Sequence, residues 1–176
     1  VKLACHCKLP IRAVMETGGA WPGIDAEGRG PAEAIARCIE VCLEAPVPVI
    51  ATVIGEGGSC GAVALGAGDR VLMLEHAIYS VISPEACASI LWRDPKQAST
   101  AAETLRLTAQ DLHRLGLVDR IISEPVGGAQ RDPQTAMAAV RKAIIEELQP
   151  LLPLAPARLK ELRREKFLAM GRENLT

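Results

Sequence analysis

Residues 47–61 read VPVIATVIGEGGSCG. The first eight, VPVIATVI, form an unbroken apolar and largely β-branched run, the pattern of a strand covered on both faces. A turn over 55–61 follows, with four glycines in seven positions, and then an Ala-rich helical segment over 62–67. A buried strand, a glycine turn and a helix in that order make up the repeating unit of an α/β protein with a parallel sheet.

The same alternation extends to either side. Upstream, residues 10–16 (PIRAVME) read as a short strand that enters a Gly-rich loop, 17–30 (TGGAWPGIDAEGRG). A helix then starts with Gly30 at its cap and Pro31 at its first position, where a missing N–H costs nothing. Its apolar face is Ile35, Cys38, Ile39 and Cys42. Downstream, 70–74 (RVLML), 78–82 (IYSVI) and 119–123 (DRIIS) read as strands. Ser83-Pro84-Glu85 opens a helix with a hydroxyl cap and an acid facing the dipole. Thr108 with Asp111 resembles a capping box. Asp132-Pro133 starts a long helix that runs to about residue 149. Pro150–Pro156 is a linker, and 157–170 is a basic amphipathic helix carrying Arg158, Lys160, Arg163, Arg164 and Lys166 against Glu161 and Glu165. We therefore expect a domain over 1–149 and a linker with a C-terminal helix over 150–176. No internal repeat is evident. The opening VKLACHCKLP has no Met and no signal-peptide pattern. It reads as the end of a helix, so more of the domain is expected ahead of it.

Composition narrows the function classes. The chain has 176 residues, 49% of them hydrophobic but only 2% aromatic, so its core is aliphatic. Twenty basic against 21 acidic residues leave a net charge of -1, without the basic excess or the stacking aromatics that nucleic-acid binding needs. The longest apolar run, 45–54, is too short to span a membrane and is broken by Pro46 and Pro48. Six scattered cysteines fit reduced thiols in a cytoplasmic protein better than a disulfide framework.

Three features have chemical potential. Glycines in the 55–61 turn let a ligand approach the backbone, and amides at a helix start lack intrahelical partners. Gly57 and Gly58 can therefore stabilise a developing anion; a connection that needs glycine only for space fits the turn equally well. Gly57-Gly58-Ser59-Cys60-Gly61 also matches the G-x-S-x-G nucleophile elbow. That reading needs His76 or His113 as base and Asp69, Asp111 or Asp119 as orienter. The loop 17–30, with Glu16, Glu27 and Arg29 around it, lies where open α/β sheets bind ligands. Cys5-His6-Cys7 and Cys38/Cys42 lack standard zinc spacing, and buried thiols packing as small hydrophobes are the default. No metal site is expected.

Read in order, the segments resemble one family. ETGGAWPGIDAEGRGPAEAIAR (16–37) is similar to a D-T-P-G-A-Y-P-G signature followed by A-E-x-R-G-Q-x-E-A-I-A. VPVIATVIGEGGSCGAVALGAGDRVLMLEHAIYSVISPEACASILWRD (47–94), LTAQDLHRLGLVDRIISEPVGGAQRDP (107–133) and KFLAMG (166–171) match later blocks. The family is the alpha subunit of bacterial acetyl-CoA carboxylase carboxyltransferase, and the likeness covers essentially the whole chain but only the later part of a full-length member.

The resemblance implies a crotonase (ClpP/crotonase-like) α/β fold of repeated ββα units, with C-terminal helices used for assembly. It also implies carboxyl transfer from carboxybiotin, carried on a biotin carboxyl carrier protein, to acetyl-CoA, giving malonyl-CoA for fatty acid synthesis. Gly57 and Gly58 match the backbone hole for the biotin oxyanion, and Gly18, Gly19, Ala20, Glu27, Arg29 and Ser59 match substrate-binding positions. The implied partners are a beta subunit with a zinc ribbon, which supplies the enolate hole, and a second alpha copy. The chain departs from the family at Glu16, Gly18, Trp21, Pro31, Cys60 and Ala86. Cys60 places a side chain where the family keeps bare backbone. If the family glycine at position 86 has positive φ, Ala86 is strained. The rival readings are a crotonase-like acyl-CoA hydratase or isomerase, a serine hydrolase using Ser59, and an inactive truncated remnant.

Overall fold

Among the described residues five strands carry the fold, and all of their pairings with one another are parallel: β1 (Ile11–Thr17), β2 (Val49–Gly58), β3 (Arg70–Leu74), β4 (Ile78–Ser80) and β5 (Arg120–Ile122). The computed structural model describes residues 1–172. The order across the sheet is β1-β2-β3-β5, and β4 pairs with β2 beyond the point where β3 leaves it. β2 is therefore the central strand, flanked by β1 on one side and by β3 and then β4 on the other.

The helices are α1 (Lys2–His6), α2 (Ile24–Glu27), α3 (Pro31–Leu43), α4 (Ser59–Leu65), α5 (Pro84–Trp92), α6 (Ala98–Leu105), α7 (Ala109–Arg114), α8 (Pro133–Leu148) and α9 (Pro156–Ala169). Their starts follow the local chemistry of the sequence. Gly30 caps α3 in a left-handed conformation with Pro31 after it. The Ser83 hydroxyl accepts the Ala86 N–H at the head of α5, Thr108 accepts the Asp111 N–H at α7, and Asp132 accepts the Thr135 N–H at α8. The Thr108 motif differs from a full capping box, because the Asp111 carboxylate accepts from the Thr108 hydroxyl instead of returning to the cap N–H. Ala86 is not among the positive-φ residues, so alanine is not strained there.

The core is aliphatic. Ile50, Val53, Leu72 and Met73 from β2 and β3 meet Ala62, Leu112, Ile144 and Leu159 from four helices in one cluster. Tyr79 is the one aromatic that packs against it, and only partly. Each covered Ile, Leu or Met contributes roughly 1.5–3 kcal/mol. Leu151 and Leu159, from the stretch read as linker and final helix, join the same cluster; residues 173–176 of that stretch lie outside the described residues.

Two findings depart from the sequence reading. Asp69 and Asp119 each precede a strand and make the same reciprocal pair with the strand beside them. The Asp69 carboxylate accepts the Val49 N–H at 2.7 Å and its own N–H donates to the Val49 carbonyl at 2.8 Å. Asp119 does the same with Val71, at 2.6 and 2.8 Å. Asp69-Arg70-Val71 and Asp119-Arg120-Ile121 thus form a small structural repeat at the N-terminal edge of the sheet. The second departure is Arg163. Grouped in the sequence with the other basic residues of an amphipathic helix, it is 1% exposed and buried against Asp69.

Candidate active site

Strand β2 runs on through the expected turn. Instead of ending near Ile54 it continues to Gly58, and α4 starts at the next residue. Gly57 is opposite Tyr79 of β4 and Thr17 of β1, and Gly58 is opposite Ser80. Gly57 and Gly58 therefore lie within a sheet ladder and not in a free turn, which corrects the picture of two loose amides. The amides that helix geometry leaves without intrahelical partners are the next ones, in the first turn of α4.

Between Met15 and Thr17 the β1–β2 register slips, from Met15 opposite Val53 to Thr17 opposite Gly57. Two extra β2 residues are accommodated there, and Glu16 organises them. Its carboxylate accepts the Glu56 N–H at 3.1 Å. A Cβ on Gly55 would lie 2.0 Å from a Glu16 carboxylate oxygen, so a side chain at 55 would displace the Glu16 carboxylate.

That loop and the β2–α4 junction touch backbone to backbone. A Cβ on Gly58 would lie 2.5 Å from the Gly18 carbonyl oxygen and 2.6 Å from its carbon. A Cβ on Gly19, whose φ is +119°, would lie 2.6 Å from the Ser59 Cβ. One on Gly61 would lie 3.2 Å from the Ala20 nitrogen. The loop is held in place by Thr17, whose hydroxyl accepts the Gly19 N–H at 3.1 Å. Gly57 is closed from the opposite side by the Tyr79 ring, at 2.9 Å from a Cβ there. The structure thus brings together Gly18, Gly19 and Ala20 with Gly57, Gly58 and Ser59, all read from the sequence as site positions. It adds Tyr79, which the sequence reading placed only on a strand, and Gly61, which it named only as the end of the G-x-S-x-G match. Glu27 closes α2 and Arg29 follows it, both exposed, and no hydrogen bond or ion pair ties either to the junction among the described residues. Cys60 is also exposed, so its side chain leaves the backbone contact between the two segments free.

Ser59 has φ +58°, a left-handed conformation that costs a non-glycine residue about 1–2 kcal/mol. A nucleophile elbow also strains its serine, but the rest of a triad is missing. Asp69 binds the Val49 end of β2, nine residues and about 30 Å of strand away from the Gly58 end. Asp119 is held at the same far edge by Val71 and Lys166. Asp111 is engaged with Thr108 and Arg114 on α7. None of the three orients a histidine at Ser59.

What the junction offers is backbone: two glycine-rich segments in contact, one of them leading into a helix. Such an arrangement suits an oxygen that gains negative charge, since it presents N–H donors without a titrating side chain. The family model for acetyl co-enzyme A carboxylase carboxyltransferase-like proteins matches residues 1–171. The chain belongs to this acetyl-CoA carboxylase carboxyltransferase family. It is 69% identical over 176 residues to the acetyl-coenzyme A carboxylase carboxyl transferase subunit alpha of Gluconacetobacter diazotrophicus, covering all of this chain and 55% of that one. Among solved structures it is similar to a Pseudomonas malonate decarboxylase hetero-tetramer in complex with coenzyme A. The TM-score is 0.75 at 19% identity, over 96% of this chain and 67% of that one. It is also similar to a probable enoyl-CoA hydratase from Mycobacterium smegmatis, with TM-score 0.58 at 17% identity, over 98% and 72%. The fold is crotonase-like α/β, as the resemblance implied. This carboxyltransferase-family chain spans about half the length of the curated relatives it matches. No helix among the described residues is long and apolar enough to cross a membrane.

Proposed function

We propose that the chain forms the part of a carboxyltransferase alpha subunit that receives carboxybiotin from a biotin carrier protein and serves transfer of its carboxyl group to acetyl-CoA. The product is malonyl-CoA for fatty acid synthesis, made in the cytoplasm by an ATP-dependent acetyl-CoA carboxylase complex. The observation that carries this reading is the contact of the Gly18–Ala20 loop with the Gly58–Gly61 segment, in a chain of this family. A ureido oxygen needs backbone donors that side chains leave uncovered. Gly58 and Gly19 let the two segments close on each other, Gly58 against the Gly18 backbone and Gly19 against Ser59, and the amides at the start of α4 lie at that junction without intrahelical partners. A donor set of this kind suits the group.

Bound there, carboxybiotin supplies an activated carboxyl group. The chain's own part is positional and electrostatic. Amides of the junction stabilise the oxygen on which negative charge develops, an interaction stronger in the transition state than before it. Gly57 and Gly58, held in the ladder, fix the height of this segment against Gly18. Tyr79, whose phenol is pushed above its ordinary value by burial, stays neutral as a wall beneath Gly57. No side-chain base is required of this chain. The beta subunit would supply the second oxyanion site and the zinc ribbon, and a second alpha copy would complete the assembly.

The test uses the full-length subunit carrying this sequence, combined with its beta-type partner. Malonyl-CoA decarboxylation should depend on added biotin. Stoichiometric labelling of Ser59 by a serine-reactive phosphonate, or equal turnover without biotin, would contradict the reading.

A further inference from the structure

Tyr79 touches both ends of the helix that carries the junction amides. One edge of its ring faces Gly57, two residues before α4, where a Cβ would lie 2.9 Å from the Tyr79 Cδ2. Its hydroxyl faces Gly66, the cap at the other end of α4, where a Cβ would lie 2.7 Å from the Tyr79 oxygen. Neither glycine is among those with a positive φ, and Gly66 has φ -78°. The backbone conformation of both therefore suits any residue. What opposes a side chain at each is the same phenol ring, which rests there on bare backbone.

The strand that carries the ring is pinned. Tyr79 is opposite Gly57 in the β2–β4 ladder. Its N–H donates to the Leu107 carbonyl at 3.0 Å, and Ile78 bridges to Thr108, which caps α7. β4 is thus held between the end of β2 and the head of α7. The ring also borders an apolar cavity of about 340 Å³, lined by Val63, Leu105, Leu112 and Phe167 among others. A ring pushed at its hydroxyl has that space to yield into.

We propose that Tyr79 is a positioning residue for carboxyl transfer. Wedged between Gly57 and Gly66, it sets where α4 stands against the end of β2, and so where the first-turn amides of α4 point. It acts through α4 and not on substrate. The inference rests on the carboxyl-transfer reading, in which those amides stabilise the developing oxyanion. Donors in a working site have to be held within about 0.5 Å of their productive place by side chains locked in packing. A misplacement of about 1 Å can cost about 10²-fold in rate. A rigid ring that presses on backbone at two points, one at either end of the helix, meets that need.

The test presses on the brace from its Gly66 end, in the full-length subunit carrying this sequence combined with its beta-type partner. Gly66→Ala puts a methyl against the Tyr79 oxygen. In biotin-dependent malonyl-CoA decarboxylation, kcat should fall by about tenfold or more while the KM for biotin stays near its parental value, the pattern of an interaction made in the transition state. Gly66→Ala/Tyr79→Phe lacks the oxygen that the methyl strikes and should recover most of the lost kcat. Tyr79→Leu removes the brace without touching α4 and should show the same fall in kcat as Gly66→Ala. Parental kcat in either assembled single variant would overturn the proposal. So would a double variant as slow as Gly66→Ala, which would place the fault in α4 itself. Failure of both single variants to assemble would overturn it too, by making Tyr79 a determinant of the fold alone. Parental turnover without biotin would instead contradict the carboxyl-transfer reading.

Discussion

Arg163 and Asp69 form a fully buried, two-pronged ion pair, with Nε to Oδ1 at 3.0 Å and Nη2 to Oδ2 at 2.8 Å. The remaining guanidinium N–H groups reach the carbonyls of Cys42, Leu43, Ala45 and Val47 at 2.8–3.0 Å. One side chain of α9 thereby holds the end of α3, the entry to β2 and the start of β3. Breaking a buried pair by removing one partner typically costs about 3–5 kcal/mol. Arg163→Met should cost at least that, because four carbonyls lose their donor along with Asp69. Arg163→Lys should recover little, since a point charge cannot replace the planar fork. Urea unfolding monitored by circular dichroism measures both. A loss under 1 kcal/mol for Arg163→Met would show that α9 is not anchored here.

The two loop glycines should respond differently to alanine. A Cβ on Gly18 meets the Glu56 carboxylate at an ordinary 3.6 Å, whereas Gly19 combines φ +119° with a 2.6 Å clash. Gly18→Ala should therefore stay within about 0.5 kcal/mol of the parent, the range of harmless substitutions. Gly19→Ala should lose about 1–3 kcal/mol through strain and should detach the loop from Ser59. Thermal unfolding of the pair decides this, and equal stabilities would mean that the loop does not rest on the junction.

The thiols should also separate. Burial, with Cys38 close by, pushes Cys42 up from 9.0 to about 11, whereas Cys7 and Cys60 are exposed. At pH 8, iodoacetamide should modify Cys7 and Cys60 and spare Cys42, as read by peptide mass spectrometry. A thiol whose folded pKa is raised holds its proton after the unfolded chain has released it. Stability should therefore fall as pH rises from about 9 to about 11, by up to roughly 2–3 kcal/mol. Cys42→Ala should flatten that part of the profile. An unchanged slope would assign the alkaline loss to other groups.

Much of the fold was legible because the signals were local. Pro31, Ser83 and Asp132 mark helix starts by chemistry that acts within one turn, and the run 47–54 declares a buried strand. The end of β2 was not legible. Glycines have weak strand preference, and only β1 and β4 on either side hold Gly57 and Gly58 extended. Arg163 was misread because a charge on an exposed-looking helix is usually solvated. Its place one turn after Leu159, on the inward stripe with Leu162, was the available signal. The site was legible as two glycine segments. Their contact, Gly18 on Gly58, comes from long-range packing between the ends of β1 and β2 that no local pattern encodes.

The central claim is that backbone closeness at Gly58 serves carboxyl transfer, and Gly58→Ala in the full-length subunit with its beta partner tests it most directly. The added Cβ must push Gly18 away from the junction. Forcing the Gly18 loop off the amides at the start of α4 should act like the loss of one oxyanion donor, which typically lowers turnover by about 10²–10³-fold. The account predicts a loss of that size in biotin-dependent malonyl-CoA decarboxylation, with assembly intact by size-exclusion chromatography and with Cys60→Gly at least as active as the parent. Parental turnover by a normally assembled Gly58→Ala complex would contradict it.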